Sequence, residues 1–499
     1  MKEIVINYVR HGSYLDSVAL MQFSKKLLKL PGVNEAAIMM GTPGNLQIMA
    51  DAKLLDESIK DLEGGDMIIA VRADTRANAE DAIETAKNLL EKPKDRLDSN
   101  FSWKPKTLRS ALAETPGTNL VLISVPGEFA AAEARKAIRR GLHVMIFSDN
   151  VSVEDERALK MEAKAQNCLM MGPDCGTAIL NGVPLAFANK VPRGNIGIIG
   201  ASGTGIQEVS TLIAKHGGGV SHAIGVGGRD LRSEIGGITT LMALEILERD
   251  PATIHIVLIS KPPSPDIVKK VLRKVAVSKK QVTVCFIGMQ SCQLPGNANF
   301  AATLKAAAES ALNKKFLKDD TMAERGFKEN IDTPSFVRGL YSGGTLCAEA
   351  QVIFKTAGET LVSNAPIPGV QTMNECNETH SFVDLGADEY TQGKPHPMID
   401  PSVRNAQLRD ALSDERVGVI LFDIVIGFGS HHDPAGHIKE FLANYTGVKT
   451  ILIASVTGTE TDPQELKLQI AKLKDAGVLV ASSNADAASL ALVFLKKLS

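Results

Sequence analysis

Chemistry in this chain could gather at two glycine-rich turns that carry hydroxyl side chains. Ser202-Gly203-Thr204-Gly205 follows a short apolar run, Ile196 to Ile199, and precedes a stretch from Ile206 to Lys215 with helical periodicity. A strand, a glycine turn and a helix start in that order leave unpaired N–H groups at the positive end of a helix dipole, which favours a phosphate or carboxylate. Glycines let such an anion approach the backbone, and Ser202 and Thr204 add hydroxyl donors. The helix should stop at Gly217-Gly218-Gly219. A second strand around His222 to Val226 then runs into Gly227-Gly228-Arg229-Asp230, a further anion-friendly turn in which Gly228 gives access and Arg229 a charge. The spacing fits neither the dinucleotide fingerprint nor the P-loop, which needs Lys-Ser/Thr after its last glycine. Glycines after parallel strands are also ordinary turn chemistry.

The second half of the chain repeats the pattern. The segment Gly339 to Glu349 can be laid on the first turn so that Gly344-Thr345 meets Gly203-Thr204 and Glu349 meets Glu208. Two such units packed face to face would aim two helix N-termini at one point, with Gly343, Gly344 and Thr345 completing an anion site and Glu208 and Glu349 orienting its donors. The second copy also carries histidines. His396 lies in Gly393-Lys394-Pro395-His396-Pro397 and is expected to contact the anion. His431, in Gly427 to Pro434 just after a strand, is expected to be the general acid or base, since imidazole titrates near neutral pH. The same histidines could simply be solvated or cap a helix. No third ligand converges by spacing, so no metal site is expected.

Strands and helices alternate along most of the chain. Lys2 to Val9, Ala36 to Met40 and Met67 to Val71 read as strands, with helices over Leu15 to Leu30 and Ala77 to Leu90. The polar stretch Glu91 to Lys106, holding the one tryptophan, Trp103, reads as a linker, and Asn313 to Pro334 as a second. Leu120 to Val125, His143 to Phe147 and Cys168 to Met171 read as parallel strands with helices between, so Pro126 to Phe129 and Gly172 to Gly176 should share one sheet edge. Cys175 in that turn could be a nucleophile or a packed thiol. The expected domains are a small α/β unit at 1–106 and further α/β units at 107–193, 194–330 and 335–499, the last two approximate copies of each other.

The 499 residues carry a net charge of −2 and only 4% aromatic residues, with no basic patch of the kind that marks a nucleic-acid binder. No apolar run is long enough for a signal peptide or a membrane span, so a cytoplasmic protein with no membrane and no nucleic-acid partner is expected. The cysteines, at 168, 175, 285, 292, 347 and 376, lack zinc-like pairing, and reduced structural thiols are the expectation.

These motifs resemble a known family. Arg193 to Asp230, with SGTxxxE at Ser202 to Glu208 and GVGG at Gly225 to Gly228, is similar to the ligase domain of the succinyl-CoA synthetase alpha subunit. Pro126 to Ala132 and Gly172-Pro173-Asp174-Cys175 resemble its CoA-binding domain, and Phe336 to Ser499 resembles the ligase domain of the beta subunit fused on behind. The order of MMGPDCGTA, GASGTG, SGGTLC, GKPHPMIDP and GFGSHHDP resembles the FdrA proteins, which are acyl-CoA-synthetase-like. The resemblance implies a multidomain α/β fold, a Rossmann-like CoA-binding-type domain followed by two flavodoxin-like ligase domains, and a CoA-type pocket at Pro126, Phe129, Pro173, Asp174 and Cys175. It places Glu208 where the family has a glutamate contacting a phosphohistidine. That loop reads GMQSCQLPGNANFAA here and has no histidine. The ATP-grasp region and the glycine-rich CoA turn are also missing. The implied function is carbamoyl transfer between oxamate and carbamoyl phosphate, with acyl-CoA synthetase activity or a non-catalytic CoA- or nucleotide-binding regulator as alternatives. CoA or carbamoyl phosphate would be a substrate, with further copies or other subunits as partners.

Overall fold

The computed structural model describes residues 3–13, 15, 17–56, 59, 62, 64–91, 105–289, 293–317, 336–373, 378–391, 395–445 and 450–498. Trp103, Cys292, Cys376, Gly393 and Lys394, with most of both expected linkers, lie outside these residues. The fold is α/β throughout, as the sequence predicts. Strands Ile4–Arg10, Val33–Met40 and Met67–Ala73 form an antiparallel sheet with the third strand in the middle. A helix over Pro43–Asp51 has no strong periodicity to announce it. It is started by Thr42, whose hydroxyl accepts from Asn45 N, and by Pro43 in the first turn. The next unit is a parallel sheet of Leu120–Ile123, His143–Ile146 and Met170–Met171, joined by helices Gly127–Ile138 and Val153–Ala165.

Two seven-stranded sheets make up the rest. In the first, Ala298–Phe300, Gln281–Phe286, His255–Ser260, Arg193–Gly200 and Val220–Gly225 run parallel in that spatial order. The hairpin Thr177–Leu180 and Val183–Ala186, not foreseen in the sequence, adds two antiparallel strands beyond them. In the second, Gln371–Thr372, Leu361–Ser363, His380–Asp384, Phe336–Tyr341, Val417–Val425, Ile451–Thr457 and Leu479–Ala481 are all parallel. Each glycine-turn helix, Gly203–Lys215 or Gly344–Thr356, leaves an internal strand at which the order of connections reverses, the position where doubly wound sheets bind ligands.

Those two helices, with Leu304–Leu312 and Asn484–Leu498, fill the space between the sheets. Ile206, Val209, Ile213, Leu304, Leu346, Phe354, Ala488 and Phe494 belong to one continuous core that takes side chains from both lobes. A polar seam fixes the register between lobes: Asn189 Nδ2 donates to Ile426 O and to Asp462 Oδ2, each at 2.7 Å, and Lys190 N donates to Asp462 Oδ1 at 2.8 Å. A buried polar seam tolerates few alternative arrangements, because any slip would leave its groups unpaired.

Candidate functional site

Ser202 has an extended backbone, and its Oγ accepts from Gly205 N at 3.0 Å, so it caps the helix Gly203–Lys215. The second turn is capped differently. Asp423, fully buried on its strand, accepts from Ser342 N at 2.7 Å and Gly343 N at 2.8 Å, and is neutralised by Arg404 Nη2 at 2.8 Å. The two helix starts then meet. Ser202 Oγ and Thr345 Oγ1 are 2.6 Å apart, and a Cβ on Gly343 would stand 3.0 Å from Thr204 Cβ. Gly203 is equally confined, with Thr177 Oγ1 2.8 Å from where a Cβ would be. Two positive helix ends thus face each other across hydroxyl groups, and the first-turn amides of Gly203, Thr204, Gly344 and Thr345 have no acceptor within their own helices.

Beside this junction three ionisable side chains converge. Ala201 N donates to Ile259 O, which places the end of strand His255–Ser260, and Lys261 after it, next to the first turn. Asp384 stands opposite Tyr341 in the second sheet, next to the second turn. Lys261 Nζ and Asp384 Oδ2 are 3.9 Å apart across the lobes, the lysine half-exposed and the aspartate buried. Asp384 Oδ1 accepts from Gly386 N at 3.0 Å, and a Cβ on Gly344 would collide with Oδ2. Burial raises the Asp384 carboxyl above its usual range, against the pull of Lys261. His396 Nε2 lies 2.7 Å from where a Cβ on Gly386 would be. Its Nδ1 accepts from Met398 N at 3.2 Å, and burial pushes the ring down to about 4, so at neutral pH it is uncharged with its proton on Nε2.

Several expected site residues lie elsewhere. Glu208 and Glu349 occupy matching places on the two helices, yet neither faces the junction. Glu208 accepts from Thr457 Oγ1 at 2.5 Å and Asn484 N at 3.0 Å. Glu349 accepts from Leu304 N at 2.6 Å, Lys305 N at 3.3 Å and Asn484 Nδ2 at 2.7 Å. Both are buried among groups that join the lobes, one helical turn beyond the glycines, and the partners the structure gives them are Thr457, Asn484, Leu304 and Lys305. Arg229 is turned away as well: its Nε pairs with Glu156 at 2.8 Å and Nη2 donates to Val151 O at 2.7 Å. Beside it the fully buried Lys160 pairs with Asp230 at 2.7 Å and Glu156 at 3.0 Å.

Gly228 sits by Asp174, with 3.6 Å between its would-be Cβ and Asp174 Oδ2, while Gly227 packs on Pro173. The expected CoA-type turns do share an edge: Asp174 N and Cys175 N donate to Ser148 O and Ile146 O, at the end of the strand beside Pro126. Cys175 is a packed thiol, pushed up to about 12 by burial, with Sγ 3.4 Å from Gly225 O. Phe129 is exposed but leans on Gly64 of the N-terminal unit, 2.9 Å from its would-be Cβ. The His431 ring lies against that of His432, tilted by 36° with 4.3 Å between ring centroids, and its Nδ1 accepts from Asp433 N. Its backbone N–H donates to Met398 O, in the His396 loop, at 2.7 Å.

The sequence reading passed over Lys261, Asp384, Asp423, Arg404 and Asn484. Two of them carry a signal in their position: Lys261 and Asp384 each stand at the carboxyl end of a strand, where parallel sheets bind ligands.

Three family models match the chain: "AllF, heavy metal-associated domain" over residues 1–103, "CoA binding domain" over 192–288 and "CoA-ligase" over 340–494. Fold and matched domains together define a succinyl-CoA-ligase-like, acyl-CoA-synthetase-type protein. The chain belongs to the FdrA-like family: it is 40% identical to the uncharacterized protein YahF of Escherichia coli over 98% of both chains. It is also 32% identical to the alpha subunit of ADP-forming succinate–CoA ligase from Aquifex aeolicus, over 31% of this chain and 51% of that one, so it spans about half of that relative. Among solved structures, the apo acetyl-coenzyme A synthetase 1 of Ca. Korarchaeum cryptofilum matches 76% of this chain and 83% of that one at 14% identity, with a TM-score of 0.29. The first family model is named for heavy metals, but residues 1–103 contain no cysteine, and among the described residues no group of three or more His, Cys, Asp or Glu could hold an ion. The residues present do not fit a thiolate metal site. No helix among the described residues is long and apolar enough to cross a membrane.

Proposed function

We propose that the chain is a subunit of a cytoplasmic enzyme that moves an acyl or carbamoyl group to and from phosphate. In its most concrete form the reaction passes a carbamoyl group between oxamate and carbamoyl phosphate in the breakdown of purine ureides such as allantoin. The observation that carries this reading is the meeting of the two helix starts, Ser202 Oγ to Thr345 Oγ1 at 2.6 Å, with Lys261 beside them. A phosphate entering there exchanges one hydroxyl–hydroxyl bond for two hydroxyl–anion bonds, and gains first-turn amides from both helices and a lysine charge.

In the transfer the oxamate nitrogen attacks the carbamoyl carbon. The new C–N bond forms as the C–O bond to phosphate breaks, phosphate leaves on the helix ends, and the nitrogen gives up one proton. Donors fixed before reaction stabilise the charge that collects on the leaving phosphate. The segment Gly288 to Ala302 contains no histidine, consistent with transfer that uses no phosphohistidine. Further copies or other subunits complete the enzyme in this reading, as the alpha-subunit relative suggests.

A second reading, an NDP-forming acyl-CoA synthetase, is favoured by the CoA-ligase match over residues 340–494. The test is phosphate release by the chain purified with whatever subunits accompany it from its own host. Phosphate released from carbamoyl phosphate only when oxamate is present supports carbamoyl transfer. Phosphate released only with CoA, a carboxylate and a nucleotide overturns it in favour of the second reading.

A further inference from the structure

The side chains beside the helix junction are more than an anion site needs. A lysine and two amide-bearing helix ends would suffice for phosphate, yet Asp384 and His396 line the same place. A half-exposed lysine at 3.9 Å from a carboxylate gains little stability from that pair. Asp384 is nevertheless Lys261's one ion-pair partner among the described residues, and Asp384 is nine-tenths buried at the end of its strand. The His396 Nε2–H has no hydrogen-bond partner among the described residues, and the absence of a side chain on Gly386 lets the imidazole come close to Asp384: a Cβ there would stand 2.7 Å from His396 Nε2 and 3.2 Å from Asp384 Oδ1. The three groups therefore bring together a positive charge, an acceptor for N–H and a neutral donor, Lys261 and Asp384 at strand ends of the two lobes and His396 from the loop beside them.

We propose that these three residues select a small carboxylate that bears an adjacent carboxamide: Lys261 holds the carboxylate, Asp384 accepts an N–H and then the proton of the amide, and His396 Nε2–H donates to the amide oxygen. The assignment deepens the carbamoyl-transfer reading of the same site and rests on it. The proton lost by the attacking nitrogen goes to Asp384, the nitrogen's electron pair forms the C–N bond, and the C–O electron pair departs with phosphate. A carboxyl lifted by burial is a better proton acceptor than an exposed one. The charges around it are Lys261, which opposes that lift, and Asp423 and Glu389, which add to it. Holding His396 neutral keeps it a donor without adding a charge that would pair with Asp384.

The test is calorimetric titration of the full chain with oxamate and with oxalate, which replaces the amide by a second carboxylate. Wild type should prefer oxamate, because Asp384 repels oxalate and has no N–H to accept from it. Asp384→Asn, whose amide can donate, should cut that preference by about ten-fold or more. Lys261→Met should weaken both ligands by about ten-fold, and Lys261→Arg should restore them. Circular dichroism of each variant separates misfolding from lost recognition. A preference unmoved by Asp384→Asn, or a wild type that binds neither ligand, overturns the inference. Titration with carbamoyl phosphate in parallel keeps the two ideas apart. If carbamoyl phosphate binds and the oxamate preference ignores Asp384, the selectivity assignment falls alone. If the preference follows Asp384 but carbamoyl phosphate does not bind, the transfer reading falls and the recognition site stands.

Discussion

Glu349→Gln is the substitution that most sharply tests how the two lobes are held together. The Glu349 carboxyl is fully buried, and its ordinary value of 4.5 is raised to about 7, by burial first and by the like charge of Glu208 second. In an acid whose value is raised on folding, the folded state holds the proton more tightly than the unfolded chain. Stability from this group is therefore fully present below about pH 4.5, is lost as the pH climbs to about 7, and is level above that. At 1.36 kcal/mol per unit, a rise of about two and a half units is worth ~3 kcal/mol. Glutamine cannot ionise, so the variant lacks this slope. It also turns one oxygen into an NH2 facing Asn484 Nδ2 or a backbone N–H, at a cost of about 1–3 kcal/mol that offsets the variant's stability by the same amount at every pH.

The decisive quantity is therefore the change with pH. Urea denaturation followed by circular dichroism at pH 5 and pH 8 should show the variant gaining on wild type by about 2–3 kcal/mol between the two. Parallel stabilities at both pH values would refute the reasoning. They would mean that the carboxyl titrates as an exposed one despite its burial.

Other consequences can be checked separately. Asn484→Ala removes a side-chain donor from the buried Glu349 carboxylate and from Leu346 O, and should destabilise the protein by about 2–3 kcal/mol in the same denaturation assay; the backbone N–H of residue 484 survives the substitution, so Glu208 keeps its bond. Cys175, pushed up to about 12, should be about one part in ten thousand thiolate at pH 8 and should resist iodoacetamide in the native protein, as read by peptide mass mapping. Rapid native alkylation at that position would contradict the packed geometry. Gly227→Ala places a Cβ 2.4 Å from Pro173 O at a φ of +86°, and should lower stability by about 1–3 kcal/mol in thermal melts.

Much of this architecture was legible because local pattern and fold agree. The strand His143–Ile146 falls within the run His143 to Phe147 that reads as one, and Ser202 caps a helix where the glycine turn places one. The internal repeat is visible in the matching places of Glu208 and Glu349 on their helices. What the sequence withheld is which way a side chain turns. Arg229 follows a glycine pair like a phosphate ligand, but Glu156, on a distant helix, claims its guanidinium. Glu208 and Glu349 sit near the glycines in sequence, yet one helical turn carries them into the seam between the lobes. Lys261 and Asp384 belong to different sheets, so no spacing rule links them, and the hairpin Thr177 to Ala186 joins its sheet through antiparallel pairing that a parallel βαβ pattern does not foresee.

The central claim, that the meeting point of two helix starts is an anion site serving carbamoyl transfer, is tested most directly by calorimetry of the full chain with carbamoyl phosphate, CoA and ATP in turn. Thr204→Arg is the matched variant, since Thr204 packs against Gly343 and a larger side chain there occludes the junction. The account predicts that carbamoyl phosphate binds to wild type, that Thr204→Arg abolishes this binding, and that CoA gives no signal. Tight CoA binding with no response to carbamoyl phosphate would contradict it.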